Sequence, residues 1–312
     1  MRFGRQLKKG DTIGLIGPSG SIRTAGSLEK SVAMVEEMGF KVKLGESCGK
    51  VYGYLSGTDE VRARDVNAMF RDDTVDAIIC VKGGYGTMRM LDQLDYEAVR
   101  ANPKIFMGYS DITAMHIAYL EKAELVSFHG PMPASCWVDG LDDVTLKSML
   151  SMLMDDCADR VISNPEGHPF NTVNSGVCEG RLVGGNLSLI DGLLGTPYEL
   201  DTRGRILFIE DIGEKTYRLD HMLTHLRLAG KFDDCAGVVF GHFTDCPIEF
   251  PAFGLTIEEI IRDVVVPCGK PVFSGFTAGH SLPNLTLPLG VQCRMDADQG
   301  TITLLESPVV RF

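Results

Sequence analysis

Several features that mark large classes of protein are missing from this sequence of 312 residues. The nine cysteines are scattered and include no C-x-x-C pair, so neither a zinc site nor a redox-active dithiol is indicated. No apolar run approaches the roughly 20 residues needed to cross a bilayer, and no signal-peptide core follows the basic N-terminus. We therefore expect a cytoplasmic protein with reduced thiols and no contact with a membrane.

Positive charge is also in short supply, because 30 Lys and Arg residues face 42 Asp and Glu residues. The formal net charge of −12 argues against a nucleic-acid or anionic-membrane surface, both of which need basic patches. Among the seven histidines only His221 and His225 have helical spacing, and no third ligand stands near them in the sequence. We expect no metal ion and no cofactor.

The first half of the chain alternates short apolar runs with segments of helical period. This alternation predicts a parallel sheet covered by helices on both faces, an α/β domain over residues 1–157. The predicted strands are TIGLIG (12–17), KVKL (41–44), DAIICV (76–81), KIFMGY (104–109) and ELVSFHG (124–130).

Residues 158–178 lose this periodicity and collect Pro, Gly, Asn and Ser, so a linker is predicted there. Residues 179–312 are richer in predicted strand and end in two alternating arms around Asp-Gln-Gly, which indicates a hairpin. The second half is therefore predicted to be a smaller, β-rich α+β domain.

Glycine-rich turns and a serine follow three of the predicted strands of the first half. They are GPSG (17–20), GGYG (83–86) and Ser110. Ligands of open parallel sheets bind beyond the carboxyl ends of the strands, so this edge is the expected site. The two turns could cradle a phosphate, but they lack the spacing of a P-loop or dinucleotide motif, so simple strand-to-helix turns are the favoured interpretation.

Ser110 allows two interpretations. It is a good residue for capping the helix that follows. The stretch G-Y-S-D-I also has the strand–nucleophile–helix layout of a nucleophile elbow, with Ile112 in place of the final glycine. In that layout the backbone N–H of Asp111 points at an oxyanion.

A nucleophilic serine needs a base, and the base needs a carboxylate to orient it. Glu210 ends a predicted apolar strand, and His280 lies in a Gly-flanked loop after another. His129 and His242 also end strands and are the main competitors of His280.

An ordered set of motifs resembles the LD-carboxypeptidases, the muramoyltetrapeptide carboxypeptidases among serine peptidases. The resemblance covers about residues 10–295. The motifs are GDTIGLIGPSG, GYLSGTDEVRARDVNAMF, VKGGYGTMRML, FMGYSDIT, GGNLSLI, LFIEDIGEKTYRLDHMLTHL and GHSLPNLTLPLG.

The resemblance implies a catalytic triad of Ser110, Glu210 and His280 that is divided between two domains. It implies an oxyanion hole of backbone amides at Asp111 and Gly84, and an N-terminal Rossmann-like domain. It also implies a homodimer that removes the terminal D-Ala from murein tetrapeptides in the cytoplasm during cell-wall recycling.

Recognition of the terminal carboxylate of a substrate is left open by the residues, with Lys82 and Arg89 as candidates. Family members often carry Arg where this chain has Lys82, and His221 takes the place of another arginine. Two alternatives remain: a microcin C immunity-type hydrolase of adenylate analogues, and a non-catalytic module that binds a phosphate-bearing ligand. The retained GGYG and the single tryptophan, Trp137, favour the murein peptidase over the first alternative.

Overall fold

A computed structural model describes residues 1–137, 140–248 and 253–311, and strands and helices alternate along its first half, from β1 to α5 as defined below. The strands are β1 (Thr12–Ile16), β2 (Lys41–Leu44), β3 (Ala77–Cys80), β4 (Ile105–Gly108), β5 (Ser127–His129), β6 (Val161–Ser163), β7 (Asn171–Asn174), β8 (Val177–Asn186), β9 (Ile206–Ile212), β10 (Gly237–Thr244), β11 (Val272–Ser274), β12 (Leu287–Leu289), β13 (Gln292–Asp296) and β14 (Thr301–Leu304).

The α-helices are α1 (Ser27–Glu37), α2 (Asp59–Arg71), α3 (Tyr96–Ala101), α4 (Thr113–Ala123), α5 (Asp143–Met154), α6 (Leu187–Gly192), α7 (Thr216–Leu228), α8 (Lys231–Asp234) and α9 (Ile257–Val264). In the part of the chain that the structure describes, no helix is long and apolar enough to cross a membrane.

The elements form two compact units. Unit 1 contains residues 1–157, 285–290 and the described residues from 307 onward, and unit 2 contains residues 158–284 and 291–306. The sheet of unit 1 has the order β12-β5-β4-β3-β1-β2. Strands β1 to β5 are parallel in the flavodoxin-like order 2-1-3-4-5, which confirms the predicted parallel α/β architecture.

Burial follows the apolar runs that predicted these strands. Every residue of β3 and β4 is buried, as expected for central strands with both faces covered. The edge strand β2, by contrast, carries Lys41 and Lys43 and is largely exposed. Lysines on an edge discourage pairing with another chain.

The sheet of unit 2 has the order β6-β14-β13-β8-β9-β10-β11-β7. The four strands from β8 to β11 are parallel to one another, while β6, β14, β13 and β7 form antiparallel pairs. The predicted hairpin around Asp-Gln-Gly is formed by β13 and β14. The strand-rich second half is thereby confirmed.

The chain between the halves differs from the sequence prediction. Residues 158–178 are not a linker, because they contain β6, β7 and the start of β8 and belong to unit 2. Both are short edge strands, β6 with only three residues (Val-Ile-Ser) and β7 with the largely polar Asn-Thr-Val-Asn, so neither shows the apolar alternation by which a strand is recognised. Residues 285–290 also cross the predicted boundary, since β12 pairs antiparallel with β5 in unit 1.

Candidate active site

Ser110 occupies a strained bend directly after β4. Its φ angle is 66°, in the left-handed region that a residue with a Cβ adopts only at a cost of about 1–2 kcal/mol. The residue begins a short 3₁₀ turn that leads into α4, and the cap positions of that turn and of α4 are Tyr109 and Ile112. Neither makes a side-chain cap, so the capping interpretation of Ser110 is wrong and the bend has the geometry of an elbow.

The GGYG turn packs against this serine. A Cβ built on Gly83 would lie 3.0 Å from the Cβ and 3.3 Å from the Oγ of Ser110. Gly84 has a φ of +127°, and a Cβ there would lie 3.2 Å from the Cα of Gly20. A side chain at position 83 would press on Ser110 itself, and Gly84 combines a left-handed φ with a close approach to the Gly20 backbone, so both positions favour glycine.

The side chain of Asp111 joins the elbow to both glycine turns. Its buried carboxylate accepts hydrogen bonds from Ser19 Oγ (2.5 Å) and from the backbone N–H of Thr87 (3.0 Å). The Oγ1 of Thr87 returns a hydrogen bond of 2.6 Å to the carbonyl of Asp111. Burial raises the pKa of Asp111, and the bonds from Ser19 and Thr87 act against that rise. The sequence predicted a role for the backbone N–H of Asp111 but none for its side chain.

Arg62 of α2 is a second residue that sequence reasoning missed. Its side chain is fully buried and donates through Nη1 to the carbonyls of Pro18 and Gly86 (2.9 Å to the latter), while Nη2 pairs with Asp59. One guanidinium group therefore binds a carbonyl of the GPSG turn and a carbonyl of the GGYG turn. An arginine inside a helical pattern normally faces solvent. The only hint of burial was that Arg62 stands four residues before Val66 and seven before Met69, on the apolar face of the helix.

The structure separates the two cationic candidates for substrate binding. Arg89 is paired with Asp59 at 2.9 Å, and the hydrogen bond that Arg89 donates to that carboxylate raises the pKa of Arg89. The Nζ of Lys82 donates to the carbonyl of Ser21 over 3.3 Å, a long bond to a neutral group. Lys82 is therefore held less firmly than Arg89.

Glu210 and His280 are brought together in unit 2. Glu210 lies within β9 and is fully buried, and its Oε2 is 2.7 Å from Nδ1 of His280 in the loop after β11. Glu210 was predicted to end its strand, but β9 continues to Ile212. Burial raises the pKa of Glu210, while hydrogen bonds from His280 and Asn186 lower it.

Two glycines make room for this pair. Gly279 has a φ of +114°, and a Cβ there would lie 2.6 Å from Glu210 Oε2. A Cβ on Gly241 of β10 would lie 2.5 Å from the carbonyl of Ala278 and 3.1 Å from the Cβ of Glu210. The imidazole can reach the carboxylate only because both positions lack side chains.

Asn186, at the end of β8, is a third residue that sequence reasoning missed. It is opposite Glu210 in the parallel register of β8 and β9. Its Nδ2 donates to Asp211 Oδ1 (2.8 Å), while Asp211 Oδ2 accepts from the backbone N–H of Ser188 (3.0 Å). The only sign of this role in the sequence was that Asn186, a polar residue, ends the apolar GRLVGGN run.

The remaining histidines have other surroundings. His116 of α4 is buried between Ser127 Oγ (2.8 Å) and the carbonyl of Gly108 (2.9 Å), and burial lowers its pKa to about 4. His225 pairs with Asp191 at 2.7 Å. Burial lowers the pKa of His242, and its backbone N–H donates to Ala278. Residues 1–137, 140–248 and 253–311 contain no group of three or more side chains arranged to hold a metal ion.

Sequence models of two domains match this chain. The LD-carboxypeptidase N-terminal domain matches residues 13–130, and the LD-carboxypeptidase C-terminal domain matches residues 179–295. The chain belongs to the LD-carboxypeptidase family, and it is therefore a peptidase among the hydrolases.

Individual relatives agree with this assignment. A protein of Bacillus subtilis (strain 168) called a probable murein peptide carboxypeptidase is 40% identical over 302 residues, covering 96% of this chain and 93% of the relative. The structure of MccF in complex with glutamyl sulfamoyl guanosine superposes with a TM-score of 0.91 at 28% identity, covering 99% of both chains. Muramoyltetrapeptide carboxypeptidase from Oxalobacter formigenes superposes with a TM-score of 0.82 at 29% identity, covering 94% of this chain and 97% of the other.

Proposed function

We propose that this protein is a serine carboxypeptidase that hydrolyses the L,D-peptide bond of murein tetrapeptides and releases the terminal D-Ala during peptidoglycan recycling. The observation that carries the proposal is the 2.7 Å contact between Glu210 and His280. A fully buried carboxylate bonded to an imidazole is the arrangement that activates a nucleophilic hydroxyl. Ser110, on its strained bend, is the proposed nucleophile.

The contact supports Nε2 of His280 as the nitrogen that acts as the base. An ionised carboxylate only accepts hydrogen bonds, so Nδ1 carries the proton that is donated to Glu210. Nε2 then keeps its lone pair and takes the proton of Ser110 when the serine attacks the carbonyl before D-Ala. Glu210 offsets the positive charge that develops on the ring.

The proton on Nε2 passes next to the amine of D-Ala as the peptide bond breaks and the acyl-enzyme forms. A water molecule that His280 deprotonates then hydrolyses the ester and regenerates Ser110. The oxyanion of both tetrahedral intermediates is stabilised by the backbone N–H groups of Asp111 and Gly84. The hydrogen bonds of the Asp111 carboxylate support this assignment, because they hold the elbow and the GGYG turn in one arrangement.

A carboxypeptidase must also recognise the terminal carboxylate of its substrate. Lys82 is the better of the two cationic candidates, because it lies beside the GGYG turn and its bond to Ser21 is long. Arg89 would have to leave Asp59 first. We further propose that the enzyme acts as a homodimer in the cytoplasm.

A second candidate function is hydrolysis of an acyl-sulfamoyl adenosine. It is favoured by the high structural similarity to MccF, whose structure contains glutamyl sulfamoyl guanosine. Both candidate reactions use the same triad and differ in the group beyond the scissile bond. A third candidate, a non-catalytic module that binds a phosphate ligand, makes no use of the Glu210–His280 contact.

Incubation with defined substrates tests the proposal. The protein is expected to release D-Ala from a murein tetrapeptide, as followed by mass spectrometry, and to cleave glutamyl sulfamoyl adenosine much more slowly. A reversed preference would support the immunity-type hydrolase. Absence of both reactions, with no covalent adduct of a serine-directed phosphonate, would support the binding module.

A further inference from the structure

The loop that carries His280 is held by a segment that belongs to no predicted domain. Asn164, between β6 and β7, accepts a hydrogen bond on Oδ1 from the backbone N–H of Thr277 (2.8 Å). Its Nδ2 donates to the carbonyl of Gly275 (2.8 Å) and to the carbonyl of His168 (3.1 Å). One amide side chain thus binds both sides of the turn at residues 275–277.

Between this turn and His280, the backbone groups of Ala278 and Gly279 make hydrogen bonds. The N–H of Ala278 donates to Phe276, and its carbonyl accepts from the N–H of His242 (3.3 Å). The N–H of Gly279 donates to Asn284 Oδ1 (3.1 Å). Only three residues, Thr277 to Gly279, separate Phe276 from His280, and their backbone is held by hydrogen bonds. A shift of Gly275 or Thr277 should therefore also move the imidazole of His280.

We propose that Asn164 is a positioning residue that sets the distance between His280 and Glu210. The proposal rests on the function proposed above for His280, although the geometry it invokes lies entirely within unit 2. Asn164 touches neither substrate nor the reacting atoms and acts through the loop at 275–280.

Removal of Asn164 should leave the fold intact. The residue is only half-buried and lines an open cleft together with His168 and Phe170, so water can reach the carbonyls and the N–H that it leaves. The loss of its bonds should instead let the loop shift. A displacement of about 1 Å in a catalytic group can reduce the rate on the order of a hundredfold.

The test compares Asn164→Ala with a matched control, Asn174→Ala. Asn174 of β7 also donates from Nδ2 to a backbone carbonyl, that of Lys270 at 2.7 Å, but it does not touch the 275–280 loop. Asn164→Ala is expected to lower kcat for D-Ala release about 10- to 100-fold with little change in KM. Asn174→Ala should stay within about threefold of the wild type.

A double-mutant cycle separates positioning from a general structural effect. In a Glu210→Gln background, where the His280 contact is already impaired, Asn164→Ala should cost less than about threefold, because the two changes act on one contact. An undiminished additional loss would overturn the proposal. So would equal rates for the Asn164 and Asn174 variants.

A spectroscopic measurement reports on the geometry without activity. The proton between His280 Nδ1 and Glu210 should give a far-downfield ¹H resonance that is absent in His280→Ala. It should weaken or move upfield in Asn164→Ala and remain in Asn174→Ala. An unchanged resonance in Asn164→Ala contradicts the positioning role, whereas D-Ala release by His280→Ala contradicts the proposed function alone. If Asn164→Ala does not fold, Asn164→Asp replaces it, because the aspartate keeps the acceptor for Thr277. A lower kcat and a weaker or shifted resonance are again expected, and an unchanged resonance again contradicts the positioning role.

Discussion

The two units hold their candidate catalytic groups by different physical means. In unit 1, backbone conformation places Ser110: a φ of 66° and the glycine turn GGYG, whose Gly83 lies directly against the Ser110 side chain. In unit 2, burial and side-chain hydrogen bonds place Glu210 and His280. The difference follows from the roles, since an attacking hydroxyl must stay accessible, while an orienting carboxylate is most effective away from water.

The largest effect should come from replacing Ser110, the strained residue of unit 1, with glycine. Ser110→Gly removes the nucleophile and also the Cβ that disfavours this bend. Release of D-Ala should fall at least about 10⁴-fold, while the free energy of unfolding should rise by about 1 kcal/mol. Activity assays and urea titration measure the two quantities.

Ser151→Ala on α5 is the control for this substitution, because the Oγ of Ser151 donates a hydrogen bond to the carbonyl of Ser148 in the same helix. It should leave the rate unchanged. A Ser110→Gly variant that retains more than about a tenth of the wild-type rate would show that another residue is the nucleophile.

The next effect concerns burial in unit 2. Glu210→Gln keeps the shape but removes the charge, and kcat should fall about 10²- to 10⁴-fold. Burial raises the pKa of Glu210, so ionisation costs the folded state stability, and this cost grows as pH rises through the raised pKa. The Gln variant lacks the cost and should be at least as stable as the wild type at pH 8.

Urea titrations at pH 5 and pH 8 check the sign. The advantage of Glu210→Gln should be larger at pH 8 than at pH 5. An advantage that instead grows as pH falls would mean that the hydrogen bond from His280 outweighs burial.

A smaller effect is expected from His116 behind the elbow. Its pKa is about 4 in the folded protein against an ordinary value of 6.5, so the unfolded chain takes up the proton first as pH falls. This histidine therefore contributes full stability above pH 6.5 and loses it toward pH 4. At pH 5 the loss is about 2 kcal/mol.

His116→Gln replaces the bonds to Gly108 and Ser127 with those of a neutral amide. It should remove this part of the pH dependence, measured by urea titration at pH 7.5 and pH 5. His221→Gln, on the exposed face of α7, is the control. Parallel pH profiles for wild type and His116→Gln would refute the assignment.

The smallest effect should distinguish the two cations of unit 1. Lys82→Met is expected to raise KM for the tetrapeptide about tenfold, through loss of a charge-assisted hydrogen bond to the terminal carboxylate. Arg89→Met should change KM less than about threefold, because Asp59 already occupies that guanidinium. The opposite order would transfer the carboxylate site to Arg89.

Local patterns predicted the elements that carry the candidate site but not the contacts that support it. Ser110 and His280 were predicted as site residues because each follows an apolar strand, a signal that is local in the sequence. Arg62 and Asn164 gave no such signal, since a helical arginine and a loop asparagine usually face solvent, and both contact partners far along the chain. The linker prediction for residues 158–178 was wrong for the same reason: edge strands are held by pairing with neighbours and need no apolar pattern of their own.

Bends of the backbone and buried runs could be predicted from the residues alone, because they depend on glycine, on apolar spacing and on nearest neighbours. The contact of Glu210 with His280, 70 residues away, and that of Asn164 with the N–H of Thr277, 113 residues away, became visible only in the folded chain. Such contacts depend on strand order in a sheet. Strand order is selected by the packing of the whole unit, and no local pattern encodes it.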